Sequence, residues 1–289
     1  MPESSIDRAR QTYPFVKGHG TENDFVLLPD HDGTIHGDLS AERVRALCDR
    51  RAGIGGDGVM RVVRSAAVGR PLSVATWFMD YRNSDGSVSE MCGNGVRVFA
   101  HHLVTEGLVD AAVPVVVDTR DGVKTITVDT VADGGATYTV DMGPAKVLGQ
   151  TTVGANGVTW PAQHVDMGNP HAVAFVSSLQ VVGTLVDPPA RDRGVYPDGV
   201  NVEFVVRRGE RHVAMRVHER GSGETRSCGT GACAVMVAAA LADGARPEGD
   251  DVTYRVDVPG GTLHVTWTAD ERVLLTGPAV LVARGTTDL

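Results

Sequence analysis

"MCGNGVRVFAHHLV", Met91 to Val104, and "SCGTGACAVMVAAALA", Ser227 to Ala242, each set a cysteine before Gly-x-Gly and then run into apolar residues. From Gly231 to Ala242 no residue is charged, and a helix apolar on every face has to be enclosed on every side. The run after Gly95 is nearly as apolar, with Arg97, His101 and His102 as its polar members. Two such helices in one chain predict two enclosures.

Other landmarks repeat in the same order. Cys92 and Cys228 lie 136 residues apart, Asn23 and Asn169 lie 146 apart, and Asp57 and Asp198 lie 141 apart. An ordered trio at nearly constant spacing predicts a duplicated domain. Around the helices, "FVKGHGTENDFVLLPD" (15–30) reads as strand, glycine-rich turn and strand, and Ser40 offers a cap to a helix through "AERVRALCDRR". Alternating segments at 73–81, 113–119, 124–129 and 136–142, then at 171–176, 202–206, 212–218, 252–258, 262–268 and 272–275, predict meandering strands. Helices that interrupt strands without alternating with them favour α+β over a doubly wound parallel sheet. The expected fold is two pseudo-symmetric duplicated domains, each a mostly antiparallel, barrel-like sheet wrapped around a central apolar helix. The expected division is 13–131 plus 276–289 for the half carrying Cys92 and 132–275 for the half carrying Cys228.

The chain has 289 residues and a formal net charge of -9, which argues against a nucleic-acid backbone as partner. Its first dozen residues lack the apolar core of a signal peptide, and no apolar run approaches bilayer length. A cytoplasmic protein without membrane contact is expected, its leader (1–11) a mobile tail. Four cysteines, Cys48, Cys92, Cys228 and Cys233, are too few and too scattered for a disulfide framework. Cys48 falls on the apolar face of its helix and is expected in the core.

The glycines after Cys92 and Cys228 suit a helix mouth, where free N–H groups and the positive dipole end attract an anion and favour a thiolate. Two mouths face to face would place one carboxylate between two thiols. Proton exchange at a carbon beside that carboxylate needs a base on one side and an acid on the other, and a thiolate and a thiol supply both. None of the three lysines, Lys17, Lys124 and Lys146, stands in a Schiff-base context, and no dinucleotide or Walker motif is present. No cysteine or histidine set has zinc spacing, so neither cofactor nor metal is expected.

With these residues in place, the sequence resembles the diaminopimelate epimerase family, through "GHGTENDFVLL", "YRNSDGS", "MCGNGVR", "MGNPHAV", "DGVNVEF" and "HERGSGETRSCGTGACA". The resemblance implies a cofactor-independent isomerase of L,L- and meso-diaminopimelate, in lysine and peptidoglycan precursor synthesis, and a homodimer. It implies Cys92 and Cys228 as the acid–base pair. Main-chain donors of Gly93, Asn94, Gly229 and Thr230 would hold the carboxylate at the reacting centre, with Asn23 and Asn169 completing the pocket. Asn83, Asn201 and Arg220 would bind the far carboxylate, with Glu219 on the ammonium. Two departures stand out: Gly58 follows Asp57 where many members have Gln, and Glu22 stands where Gly is frequent. A proline-racemase-like enzyme would carry His at the place of Asn94, and a phenazine-type isomerase would lack the cysteine pair. A thiol-redox protein and an amino-acid-binding protein are the readings from other classes.

Overall fold

The computed structural model describes residues 11–71, 74–131 and 135–289. The leader expected to be a tail, and Ser73 at the start of one expected strand, lie outside these. Strands dominate, with three α-helices among the described residues. In chain order the first half contains β1 (Tyr13–Gly20), β2 (Asn23–Pro29), α1 (Ala41–Cys48), β3 (Gly58–Arg64), β4 (Trp77–Asn83), α2 (Gly93–Thr105), β5 (Val115–Thr119), β6 (Gly122–Thr130) and β7 (Ala136–Pro144). There follow β8 (Lys146–Ala155), β9 (Val158–Asp166), β10 (Pro170–Phe175), β11 (Ala190–Arg191), β12 (Asn201–Gly209), β13 (His212–Glu219) and β14 (Gly223–Thr225). The chain then forms α3 (Gly229–Ala242), β15 (Val252–Val258), β16 (Gly261–Trp267), β17 (Arg272–Pro278) and β18 (Val280–Thr287).

The duplication is visible in the ladders. From β1 to β7 successive pairings run antiparallel, parallel, antiparallel, parallel, antiparallel, antiparallel. The same series recurs through β9, β10, β12, β13, β15, β16 and β17. Each series puts its long apolar helix after the fourth strand. The antiparallel pair of β18 with β1 answers that of β8 with β9, and β7 meets its counterpart β17 across the middle. Most pairings are antiparallel, as the hairpin turns require.

α2 packs against β1, β2, β7 and β18, and α3 against β9, β10, β12, β15 and β16. Within α3 every residue from Gly231 to Ala240 is buried, the enclosure that its missing polar face demanded. Its alanines and glycines let the strands close tightly around it. α1 lies outside on β2 and β3 over a smaller core, capped by Ser40, whose Oγ accepts from the Arg43 N–H at 3.2 Å. Cys48 is buried there, as its helical face predicted.

Register corrects one sequence equivalence. Phe25 pairs with Gly58 in the parallel β2–β3 ladder, and His171 pairs with Asn201 in β10–β12. With Asn23 matching Asn169, Gly58 therefore corresponds to Asn201, and Asp57 does not correspond to Asp198. Similar "DGV" turns misled the alignment, whereas the ladder fixes it. The strand expected over 73–81 is formed over Trp77–Asn83. β3, β8, β9 and β18 were not anticipated. β3 is buried at six of its seven positions and so lacks alternation, while β8 contains a bulge between Val147 and Gly149.

Candidate active site

Both long helices begin at a cysteine. Cys92 caps α2 in extended conformation (φ -138°, ψ 121°), and its Sγ accepts from the Gly95 N–H at 3.4 Å. Cys228 caps α3 with nearly the same dihedrals (φ -123°, ψ 117°) and accepts from the Gly231 N–H at 3.4 Å. A side-chain acceptor at a helix start occupies the place usually held by Ser, Thr or Asp, and here the acceptor is sulfur. The two starts abut. A Cβ built on Gly229 would stand 3.4 Å from both the Asn94 nitrogen and the Gly93 Cα, so only glycine lets the mouths approach this closely.

One cavity of about 570 Å³ is lined by both cysteines, together with Asn23, Asn83, Gly93, Asn169, Asn201, Glu219, Arg220, Gly229 and Thr230. Every residue expected at the site lines it except Asn94. The Asn94 amide instead turns into the protein, donating to Asn23 Oδ1 (3.2 Å) and to Ser227 O and Oγ (3.3 and 3.1 Å), which ties one helix start to the approach to the other. Thr21 Oγ1 and Ser227 Oγ, 2.6 Å apart, add a second tie. A neighbouring cleft of about 880 Å³ shares Cys92, Asn83, Glu219 and Arg220 and opens the site outward.

The asparagines are held individually. Asn23 donates to Asp57 Oδ2 at 2.8 Å while its Oδ1 faces the Cys92 thiol at 3.6 Å. Asn169 Oδ1 contacts His171 Nε2 at 2.9 Å, and His171 Nδ1 contacts Glu203 Oε1 at 2.6 Å, both residues being fully buried. Asn201 donates to Pro170 O at 3.2 Å and accepts from the Arg220 N–H at 2.9 Å. Asn83 donates to Ser87 Oγ at 3.0 Å. The Arg220 guanidinium is exposed and has no ion-pair partner among the described residues, leaving its planar fork open toward the cleft.

Two expectations need correction. The helix mouths were expected to lower the thiol pKa values, yet burial dominates. It pushes Cys92 up to about 11, against the opposing Gly95 N–H, and drives Cys228 well above the ordinary thiol range, with Glu219 and Glu203 adding to the effect. Glu219 was expected at the remote end, yet its carboxylate accepts hydrogen bonds from the Thr225 hydroxyl and the Cys228 thiol. Burial raises its own pKa as well. It stands at the reacting end.

Three contributors escaped the sequence reading. Asp57 fixes the Asn23 amide and Glu203 holds His171. Tyr81 lines both cavities and explains the departure at Gly58: a Cβ there would lie 2.5 Å from Tyr81 Cε2 and 2.5 Å from Arg82 O. The phenol ring fills the space that a longer residue at 58 would need. A glutamate inside the apolar strand "NVEFVV" was the available signal for Glu203. Among the described residues no group of three or more His, Cys, Asp or Glu side chains could hold a metal ion, and no helix is long and apolar enough to cross a membrane.

Comparison with known proteins agrees with this geometry. The family profile described as Diaminopimelate epimerase matches residues 15–148 and 163–282. A diaminopimelate epimerase of Streptomyces coelicolor is 58% identical over 286 residues, covering 95% of each chain. One from Corynebacterium glutamicum is 48% identical, covering 95% of this chain and 98% of its own. Among solved structures, a phenazine biosynthesis protein of the PhzF family from Bacillus anthracis superposes with a TM-score of 0.72 at 17% identity, covering 96% of this chain and 99% of its own. A hydroxyproline epimerase from Agrobacterium vitis gives 0.64 at 15% identity, covering 97% and 93%. These last two share the fold alone, whereas the profile and the close relatives span almost the whole sequence: the chain belongs to the diaminopimelate epimerase family.

Proposed function

We propose that the chain interconverts L,L- and meso-diaminopimelate by a two-base mechanism in which Cys92 and Cys228 are the catalytic pair. One observation carries the reading: two cysteine-capped helix starts abut and line a single cavity. A thiolate on one side takes the Cα proton and becomes a thiol. The electron pair left on Cα delocalises into the adjoining carboxylate, and the thiol on the other side delivers its proton to the opposite face and becomes the thiolate. Inversion follows without net redox change.

The first-turn amides of Gly93, Asn94, Gly229 and Thr230 sit where charge builds on that carboxylate, aided by two helix dipoles. Asn23 and Asn169 orient it. Glu219, beside Cys228, suits the ammonium on the reacting carbon, while Arg220, supported by Asn201 and Asn83, suits the second carboxylate of a long diacid. A proline-like substrate has no second carboxylate for that fork to hold. The same reading places the enzyme in the cytoplasm as a homodimer, working without cofactor on the route to lysine and peptidoglycan precursors, and these points rest on the family resemblance. It divides the chain into units 13–131 plus 276–289 and 132–275, supported by the repeated ladder series.

In deuterated water the enzyme should introduce deuterium at one α-carbon of L,L-diaminopimelate as meso product accumulates. Cys92→Ser and Cys228→Ser should each abolish turnover. Parental epimerisation rates in both variants would refute the two-base assignment, and a protein that only binds would give neither exchange nor product.

A further inference from the structure

Arg97 stands on α2, five residues after Cys92, and is completely buried. Among the described residues it forms no ion pair. Its Nη1 lies 3.5 Å from Gly93 O and its Nε 3.4 Å from Pro278 O, both long contacts, and its Nη2 has no hydrogen-bond partner. Two glycines make room for it: a Cβ on Gly20 would stand 2.9 Å from Nη2, and one on Gly277 would stand 3.2 Å from Cζ. A guanidinium buried without a carboxylate is costly, so its position calls for another source of negative charge.

The duplicated half sharpens the point. The position five residues after Cys228 holds Cys233, a fully buried and uncharged residue. Around Cys228 the charged groups are Glu219 and Glu203, the latter bonded to His171, with the Thr230 hydroxyl 3.5 Å from Sγ. Around Cys92 they are Glu219 and Arg97, with Tyr81 and Asn23 as polar neighbours. Identical caps therefore sit in opposite fields.

We infer that Arg97 is a positioning residue, the buried counter-charge that makes Cys92 the first of the two thiols to ionise and leaves Cys228 as the resting acid. The inference rests on the two-thiol reading above and adds an order to it. A symmetric pair of bases would divide the free enzyme between two protonation states, only one of which matches each stereoisomer. Arg97 biases the free enzyme toward one.

The test is site-resolved alkylation of the full chain by iodoacetamide across a pH series, with modification of Cys92 and Cys228 read separately by peptide mass. Midpoints of the two pH profiles are compared, since rates alone would also reflect access. The Cys92 midpoint should lie below that of Cys228. Arg97→Gln should raise the Cys92 midpoint by about one pH unit with Cys228 unmoved, and Arg97→Lys should restore it. Cys228 ionising first or together with Cys92 overturns the inference, as does an Arg97→Gln profile equal to wild type. If Arg97→Gln does not fold, the wild-type order and Arg97→Lys still decide. Alkylation reports ionisation and not turnover, so this result stands apart from the deuterium test of the catalytic pair.

Discussion

Arg220 is the residue whose removal best separates recognition from chemistry. Its guanidinium borders both cavities without an internal partner, and Gly199, at φ +94°, leaves room for its stem, since a Cβ there would meet Arg220 Cδ at 2.9 Å. Arg220→Met should cost about 2–3 kcal/mol of binding to the second carboxylate, a fall in kcat/KM of roughly 30- to 150-fold, measurable by steady-state kinetics on L,L-diaminopimelate. An unchanged kcat/KM would remove Arg220 from the site. At this scale the sequence was informative wherever chemistry depends on residue type at a marked turn: both cysteines, the asparagines and Arg220 were found that way. It was silent on Glu203 and Arg97 as charged neighbours, because a residue's burial and its facing partners are properties of several strands together. Tyr81 and Gly58 show the same limit, since neither explains the other until β3 and β4 pair Gly58 with Asn83 and Met60 with Tyr81.

The helices were legible as elements because their period and composition are extreme, and α3 carries the clearest consequence. Ala239, fully buried on α3, sits in a layer built from small side chains. Ala239→Leu should destabilise the fold by about 1–3 kcal/mol through overpacking, lowering the urea midpoint in equilibrium unfolding. A midpoint equal to wild type would mean that the strands around α3 can retreat at no cost. Strands were less legible. β8 exposes most of its length and bends at a bulge, and β9 carries Pro161, so neither offered the alternation that marks a strand with one buried face.

Across the whole molecule, buried histidines set the response to acid. Burial lowers His36 and His102 from 6.5 to about 4, and no ring nitrogen of either has a partner among the described residues. Such groups take up protons more readily when the chain unfolds, so stability is full above about pH 6.5 and declines as pH falls toward about 4. Asp24 adds a lower limb: burial would raise it, but Arg50 and Lys17 prevail and hold it at about 2, below the ordinary 3.8. Urea midpoints measured from pH 7 downward should drop across the histidine window, and a flat profile would contradict the burial of these rings. The duplicated plan was legible in the spacing of cysteines and asparagines. How the halves join was not, because β7 meets β17 and β18 returns to β1 across the full length of the chain.

That return of β18 to β1, pairing Tyr13 with Thr287, governs the order of assembly. A ribosome emits β18 after every other described strand, so the body that holds Cys92 waits, with one edge of β1 unzipped, until synthesis has passed through its twin. The later-made half can finish its own enclosure first, and the earlier-made half is sealed last.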